Sequence, residues 1–413
     1  MQLLYARCAG LDVHKKTIVA CVMITLLTGQ VHKQVRTFAT TTAGLLALAD
    51  WLSSHEVTHV AIESTGVYWR PVFNILEASC TVILVNAQHI KAVPGRKTDV
   101  RDSEWLAELL RHGLLRASFI PPQPIRDLRD LVRYRKTLVY ERSQEVNRLH
   151  KLLETANVKL TSVVSDVMGK SGRAMLDALL EGVSDPEALA ELARGSLRGK
   201  LPQLREALEG RVDAHHRVLL HHLLEHIAFL EQSLHELTGE IEQRLSSYEK
   251  AIERIVQIPG LQRLTVSTIL AEIGDDMSRF PSARHISSWA GVAPGNKQTG
   301  GKRMQAPTTK GNTHLRAALA EAVWALSHTK NNYLSAQYHR LARRIGKKKA
   351  IVAVSHSLLV IIYHLLRDQT DYRDLGSTYF ETLDKERLCS SAVRRLESLG
   401  YDVTLHAKQE VPA

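Results

Sequence analysis

The sequence predicts an α/β unit followed by an all-α region, and three observations carry that prediction. Over the first third of the chain, short runs rich in Val, Ile and Ala alternate with stretches of helical periodicity. A proline cluster, Pro121-Pro122-Gln123-Pro124, closes that stretch. Beyond it, apolar residues recur three and four apart, the spacing of helices.

The elements follow in order. Residues 4 to 25 read as two strands with a break near Lys15 and Lys16. Leu27-Thr28-Gly29-Gln30 is a turn signal, and Val31 to Phe38 alternates as a third strand, giving an antiparallel meander. Thr41 to Ser53 has helical periodicity and begins at threonines able to cap it. Strand His59–Glu63, a helix from Val67 to Ala78, strand Thr81–Asn86 and a helix over 98 to 110 complete the unit. The order β-β-β-α-β-α-β-α is that of a ribonuclease H-like fold, which by itself assigns no function.

The function enters through carboxylates. Asp12 lies in the apolar run Ala-Gly-Leu-Asp-Val-His, Glu63 ends the strand His-Val-Ala-Ile-Glu, and Asp99 and Asp102 open a helix. A carboxylate at the end of an apolar strand is costly to bury unless it is paired or holds a cation. Four gathered together would repel one another and so imply a bound divalent metal. Oxygen ligands of this kind suit Mg²⁺ or Mn²⁺, and two such ions can activate a nucleophile and stabilise the leaving oxygen of a phosphodiester. Asp99 and Asp102 are three apart, so a helix presents both on one side. Taken singly, each also reads as an ordinary cap or a complement to a helix dipole.

Bulk composition narrows the partner. The 413 residues include 54 Lys and Arg against 43 Asp and Glu, a net charge of +11 that favours a polyanion. No apolar run approaches the roughly 20 residues that span a bilayer, and the N-terminus lacks a secretory layout. Nucleic acid is therefore expected, and no membrane. The four cysteines, Cys8, Cys21, Cys80 and Cys389, are scattered, which fits a reducing cytoplasm and neither a zinc site nor a disulfide framework.

Four segments are expected: 1–122 catalytic, 123–250 helical and coiled-coil, 251–370 a further mainly helical domain, and 371–413 a tail without a readable motif. The helix after the prolines is strongly basic, with Arg126, Arg129, Arg133, Arg135, Lys136, Arg142, Arg148 and Lys151 as candidate phosphate contacts. Residues 157 to 213 read as short helices broken by Gly and Pro. Leu220, Leu223, Ile227, Leu230, Leu234, Leu237 and Ile241 then form a heptad seam that pairs either with the basic helix or between subunits. The histidines between His215 and His235 lack a metal-ligand motif and read as a solvated helix face.

The last third carries the nucleic-acid motifs. Ile258-Pro259-Gly260 enters a helix as the hairpin of a helix-hairpin-helix does, where backbone N–H groups can hold a phosphate. Thr299-Gly300-Gly301-Lys302-Arg303 combines a hydroxyl, two glycines that let a backbone approach phosphate, and two cations. An ordinary turn fits the same spacing. Residues 340 to 349 form a dense basic stretch. The candidate nucleic-acid contacts are Lys97, Arg101, Gly260, Gly300, Gly301, Lys302, Arg303, Lys310, Arg316, Arg343, Arg344, Lys347 and Lys348.

Gly-Leu-Asp-Val-His-Lys (10–15), Glu-Ser-Thr-Gly-Val-Tyr (63–68), Lys-Thr-Asp-Val-Arg-Asp (97–102), Ile-Pro-Gly (258–260) and Trp-Ala-Gly-Val-Ala-Pro-Gly-Asn (289–296) occur in that order. Together they resemble insertion-sequence transposases of the "one-ten" family, with the Pro-Gly-Asn form similar to its "eleven-eleven" subgroup. The resemblance spans about residues 8 to 365. It implies a RuvC-like domain whose DEDD metal site is Asp12, Glu63, Asp99 and Asp102, a coiled-coil middle and a C-terminal transposase domain. It also implies a prokaryotic, nucleoid-associated enzyme acting as a dimer or tetramer on donor and target DNA, guided by a structured bridge RNA that pairs with both. Strand exchange in such proteins runs through a covalent phosphoserine. Counting from Pro294, the serine's position holds Thr299, which keeps the hydroxyl but adds a methyl that restricts χ1. Thr299 is thus the expected nucleophile; Thr308, Thr309 or lost activity are the alternatives. A junction-resolving nuclease using water is the other reading of the four carboxylates.

Overall fold

The computed structural model describes residues 3–64, 66–85, 99–295, 297–304, 307–383 and 385–404. They fall into two compact units, 1–120 and 121–413.

The first unit is a five-stranded mixed sheet with helices on both faces. Its elements are β1 (Arg7–Val13), β2 (Thr17–Thr25), β3 (Val31–Ala39), α1 (Thr42–Ser54), β4 (His59–Glu63), α2 (Trp69–Leu76), β5 (Thr81–Val85) and α3 (Asp99–Arg111), in the predicted order. The strand order is β3-β2-β1-β4-β5. The meander β1-β2-β3 is antiparallel, whereas β4 runs parallel to both β1 and β5. Alternation along each strand divides the core in two. Ala9, Leu11, Val13, Val60 and Ile62 pack with Leu45, Leu48 and Leu52 of α1 and Val72 and Leu76 of α2. Cys8, Cys21, Met23 and Ala61 point the other way, onto Leu106, Ala107 and Leu110 of α3. The edge strand β3 buries only Phe38; its Lys33 and Arg36 discourage pairing with a foreign strand. All four cysteines are free, and burial pushes the thiols of Cys8 and Cys21 up to about 12, so both stay protonated and inert.

The second unit is helical apart from one hairpin. Its longest helices, α4 (Gln123–Thr155) and α9 (Ala214–Leu245), pair with each other. Arg135 Nε donates to Thr238 Oγ1 at 2.8 Å, Arg142 pairs with Glu231 at 2.6 Å, and His226 meets Glu145 at 3.3 Å. Position rises along one helix as it falls along the other, so the pair is antiparallel and lies within the chain. The short helices between them, α5 (Leu160–Val163), α6 (Lys170–Glu181), α7 (Pro186–Ala190) and α8 (Leu201–Leu208), share a core with Leu149, Leu153, Leu220, Leu224 and Ile227. The expected heptad seam is corrected in detail. The buried positions of α9 are His216, Leu220, Leu224, Ile227, Leu230, Ile241 and Leu245, while Leu223, Leu234 and Leu237 are only half-buried. A straight helix drifts relative to a seven-residue repeat, and this one faces the short helices at one end and α4 along its length.

The remaining elements are α10 (Glu249–Val256), α11 (Arg263–Ile273), α12 (Ala283–Ala290), β6 (Lys297–Thr299), β7 (Lys302–Met304), α13 (Thr313–Ser327), α14 (Tyr333–Ile345), α15 (Lys347–Asp368), α16 (Tyr379–Leu383) and α17 (Lys385–Glu397). Helix α15 corrects one expectation, because it is long and apolar enough to cross a membrane. Its Val354, Leu358, Leu359 and Ile362 are fully buried where it packs on α12, α13 and α14, so its apolarity is accounted for by a core position.

Candidate active site and nucleic-acid interface

Register brings the strand carboxylates together. Leu11 of β1 lies opposite Ile62 of the parallel strand β4, so Asp12 and Glu63 are the next pair along. Both sit at the C-terminal ends of their strands, the end where open α/β sheets bind ligands. Both also share a face. Gly10 and Cys8 are two and four residues before Asp12, Ala61 is two before Glu63, and that face is covered by α3.

Gly10 explains how the helix reaches this end. A Cβ placed there would lie 2.2 Å from the Ser103 carbonyl oxygen and 2.5 Å from the Ala107 nitrogen. The first turns of α3 therefore rest directly on the β1 backbone two residues before Asp12. Asp102 precedes Ser103 on α3, and the carboxylates of Asp12, Glu63 and Asp102 do not all lie within 4.8 Å of one another. The side chain of Asp12 is 11% exposed, and its Oδ2 is 3.2 Å from His14 Nε2. Neither Glu63 nor Asp102 has an ion-pair partner among the described residues. This donor set is all hard oxygen and fits Mg²⁺ or Mn²⁺, which keep several waters in their shells. Lys97 and the side chains of Asp99, Thr299, Lys302 and Arg303 lie outside the described residues. Arg101 is exposed on α3.

The one group of three potential ligands with all ligand atoms within 4.8 Å, among the described residues, is Asp213, His215 and His216. It is accounted for as a helix cap. The Asp213 carboxylate accepts the His216 N–H, His216 Nδ1 accepts the Asp213 N–H at 3.2 Å, and Arg211 Nε donates to Asp213 Oδ1 at 3.0 Å. His216 is therefore buried, against the expectation of a solvated face for all the histidines.

In the second unit, β6 and β7 form a two-residue hairpin. Gln298 lies opposite Arg303 and Thr299 opposite Lys302, with Gly300 and Gly301 at the turn. Their φ values of 55° and 74° are the left-handed pair that a twisted hairpin turn needs. The loop from 291 to 311 that carries this hairpin closes on itself. A Cβ on Gly311 would lie 2.4 Å from the Gly291 nitrogen, so the two backbones touch. Beyond the loop, Asn312 caps α13 by accepting from the His314 and Leu315 N–H groups at 3.0 and 3.1 Å.

Most of the basic run of α4 already has a partner within the chain. Arg129 and Arg133 bind Glu272, Arg135 binds Thr238, Lys136 binds Glu321 at 2.7 Å, Arg142 binds Glu231 and Arg148 binds Glu145. Arg126 Nη1 donates to the Pro121 carbonyl at 3.1 Å. Packing against other helices recruits Arg129, Arg133, Arg135, Lys136 and Arg142, local partners hold Arg126 and Arg148, and Lys151 alone has no such partner among the described residues. Arg316 is likewise engaged, donating to the carbonyls of Thr309 and Lys310 at 3.2 Å each. By contrast Lys310, Arg343, Arg344, Lys347, Lys348 and Lys349 are exposed with no carboxylate partner among the described residues. Five of these six flank Gly346, where α14 ends and α15 begins. Gly260 (φ 80°) turns toward α13, where a Cβ would be 3.2 Å from Leu326 Cα, so packing is one reason for the glycine.

Reading the sequence missed Gly10, Gly291, Gly311 and Glu272. Glu272 had a signal: it is a charged residue inside the apolar run Thr-Ile-Leu-Ala-Glu-Ile, a place where a carboxylate survives only when paired.

Comparison with known proteins agrees with this layout. A transposase family model matches residues 9–158, and a second, the transposase IS116/IS110/IS902 family, matches 252–339. The chain is 27% identical over 334 residues to the transposase for insertion sequence element IS1111A of Coxiella burnetii, covering 78% of this chain and 81% of that one. It is 24% identical over 383 residues to the pilin gene-inverting protein of Moraxella bovis, covering 88% and 96%. The transposase for insertion sequence element IS1328 of Yersinia enterocolitica is 24% identical over 280 residues, 67% of this chain and 73% of its own length. Residues 9–158 and 252–339 match in the order the motifs occur, and the chain belongs to the IS110 family of insertion-sequence transposases.

Proposed function

We propose that this transposase is an RNA-guided DNA recombinase that cuts and rejoins donor and target strands through a covalent protein–DNA intermediate. The observation that supports the reading is that Asp12 and Glu63 follow the paired Leu11 and Ile62 at the C-terminal ends of adjacent parallel strands, with α3, which bears Asp102, packed on the same face. With Asp99 they would hold Mg²⁺, which supplies charge stabilisation at a phosphodiester. Thr299 is the nucleophile of the reading, at the end of β6 beside a turn whose two glycines leave the backbone open to a phosphate. Its hydroxyl oxygen forms a new P–O bond as one P–O ester bond of the DNA breaks. The hydroxyl proton is lost, and the departing deoxyribose oxygen takes one up. Arg343, Arg344, Lys347 and Lys348 contact nucleic-acid backbone, and base pairing to a bridge RNA selects the DNA. The working form is a dimer or tetramer.

The test combines protein, the element's RNA, both DNA duplexes and Mg²⁺, followed by a denaturing gel for DNA attached to protein. Attachment that needs the RNA and disappears in Thr299→Ala and Asp12→Ala is expected. Cleavage without attachment would replace the reading with a water-using nuclease. Attachment that survives in Thr299→Ala would move the nucleophile to Thr308 or Thr309.

A further inference from the structure

Glu272 is the most deeply buried carboxylate among the described residues, 1% exposed inside α11. It is not isolated. Arg133 grips it with two parallel bonds, Nε to Oε1 and Nη2 to Oε2, each 2.8 Å. Arg129 Nε is 3.3 Å from Oε2, and its Nη2 donates to the Glu272 carbonyl at 2.6 Å. The remaining bond comes from elsewhere: Asn312 Nδ2 donates to Oε2 at 2.7 Å. A buried carboxylate thus gives one acceptor position to the residue that ends the hairpin-bearing loop.

Asn312 does two things at once. Its Oδ1 caps α13, and its Nδ2 reaches Glu272. The residues just before it are fixed as well. Arg316 donates to the carbonyls of Thr309 and Lys310, and Gly311 lies against Gly291. An N-cap needs only the oxygen, which Ser or Asp supplies equally well. The amide N–H₂ of Asn is the part that capping leaves unexplained.

We infer that Glu272, held by Arg129 and Arg133, is a positioning residue for strand transfer: through Asn312 it anchors the base of the 291–311 loop and so fixes the β6–β7 hairpin. This rests on the assignment of Thr299 as nucleophile. A hydroxyl on a short two-stranded hairpin gains its aim from whatever holds the loop ends, and small misplacements of a reacting group are costly in rate. Here the ends are joined by two touching glycines and tied to a buried carboxylate that Arg133 grips with two bonds and Arg129 flanks.

Three full-length variants test this, with two readouts. Asn312→Ser keeps the cap and loses the bond to Glu272. Glu272→Gln keeps the shape and loses the charge. The double variant Glu272→Gln/Asn312→Asp restores one negative charge and an N–H···O bond between the two positions with donor and acceptor exchanged. Amide hydrogen exchange of peptides covering 291–312 should rise roughly tenfold in each single variant, about the effect of one buried hydrogen bond, and fall back substantially in the double. Covalent DNA capture should follow the same pattern, while retention of the same DNA on a native gel at low salt stays unchanged. Unchanged exchange in both folded single variants overturns the tie. Raised exchange with undiminished capture overturns its role in the reaction. If instead Thr299→Ala retains capture, the nucleophile assignment fails by itself, and the exchange rates still decide whether Glu272 anchors the loop.

Discussion

Asp12 and Glu272 are both carboxylates driven into apolar surroundings, and their neighbours differ. Glu272 sits mid-helix, with two guanidiniums and an amide already around it. Asp12 sits at a strand end, with an imidazole beside it and Glu63 at the end of the neighbouring parallel strand. The first arrangement is electrostatically complete and serves to hold structure. The second sets two carboxylates at adjacent strand ends, where the proposed function places a cation. Burial alone does not separate the two, since both are buried; their neighbours do.

Neutralising each side tests that contrast. Asp12→Asn should lower strand cleavage by about a thousandfold, the scale of losing a preorganised electrostatic contact, without lowering the midpoint of thermal unfolding. A lower midpoint would place Asp12 with Glu272 as a structural charge. Glu272→Ala should do the reverse and cost about 3–5 kcal/mol of stability in urea unfolding, because two half-buried guanidiniums lose the carboxylate they share. Gly10→Ala lies between the two. Its methyl would collide with the Ser103 carbonyl, so overpacking of about 1–3 kcal/mol and loss of cleavage should appear together.

Acidity sharpens the comparison further. Burial alone would raise the Glu272 carboxyl, but Arg133, Arg129 and Asn312 outweigh it, and its pKa is lowered from the ordinary 4.5. A carboxyl with a depressed pKa contributes stability that is present above its unfolded value and lost as pH falls through its folded value. Wild type should therefore exceed Glu272→Gln in stability at neutral pH, and the gap should close below pH 4.5. Urea titrations across that range give the result, and a pH-independent gap would mean that charge is not what the arginines hold. The smallest expected effect belongs to the exposed cations. Lys347→Ala and Lys348→Ala should each make the logarithmic salt dependence of DNA binding shallower by roughly 0.9 for every phosphate left without its cation, with no change in unfolding.

The basic residues show where sequence reasoning stopped. Arg129 and Arg343 look alike in a string of letters, both on helices among other cations. Pairing of α4 with α9 and α11 turns the first group inward to Glu231, Thr238 and Glu272. The turn at Gly346 leaves the second group exposed. Partner choice across more than a hundred residues has no local pattern to read, whereas alternation and capping do. For the same reason the strands and helices of the first unit were legible from spacing. The seam of α9 was legible only approximately.

By itself the sequence determined the element order, the acidic residues at strand and helix ends, and the Thr-Gly-Gly turn, because periodicity, burial cost and glycine conformation act over a few residues. Only the tertiary structure decided that Asp12 and Glu63 lie on adjacent parallel strands, that α3 rests on the β1 backbone at Gly10, and that Glu272 ties Asn312. Those depend on which backbone meets which, and contacts between distant segments are set by the packing of whole elements rather than by any short stretch of chain.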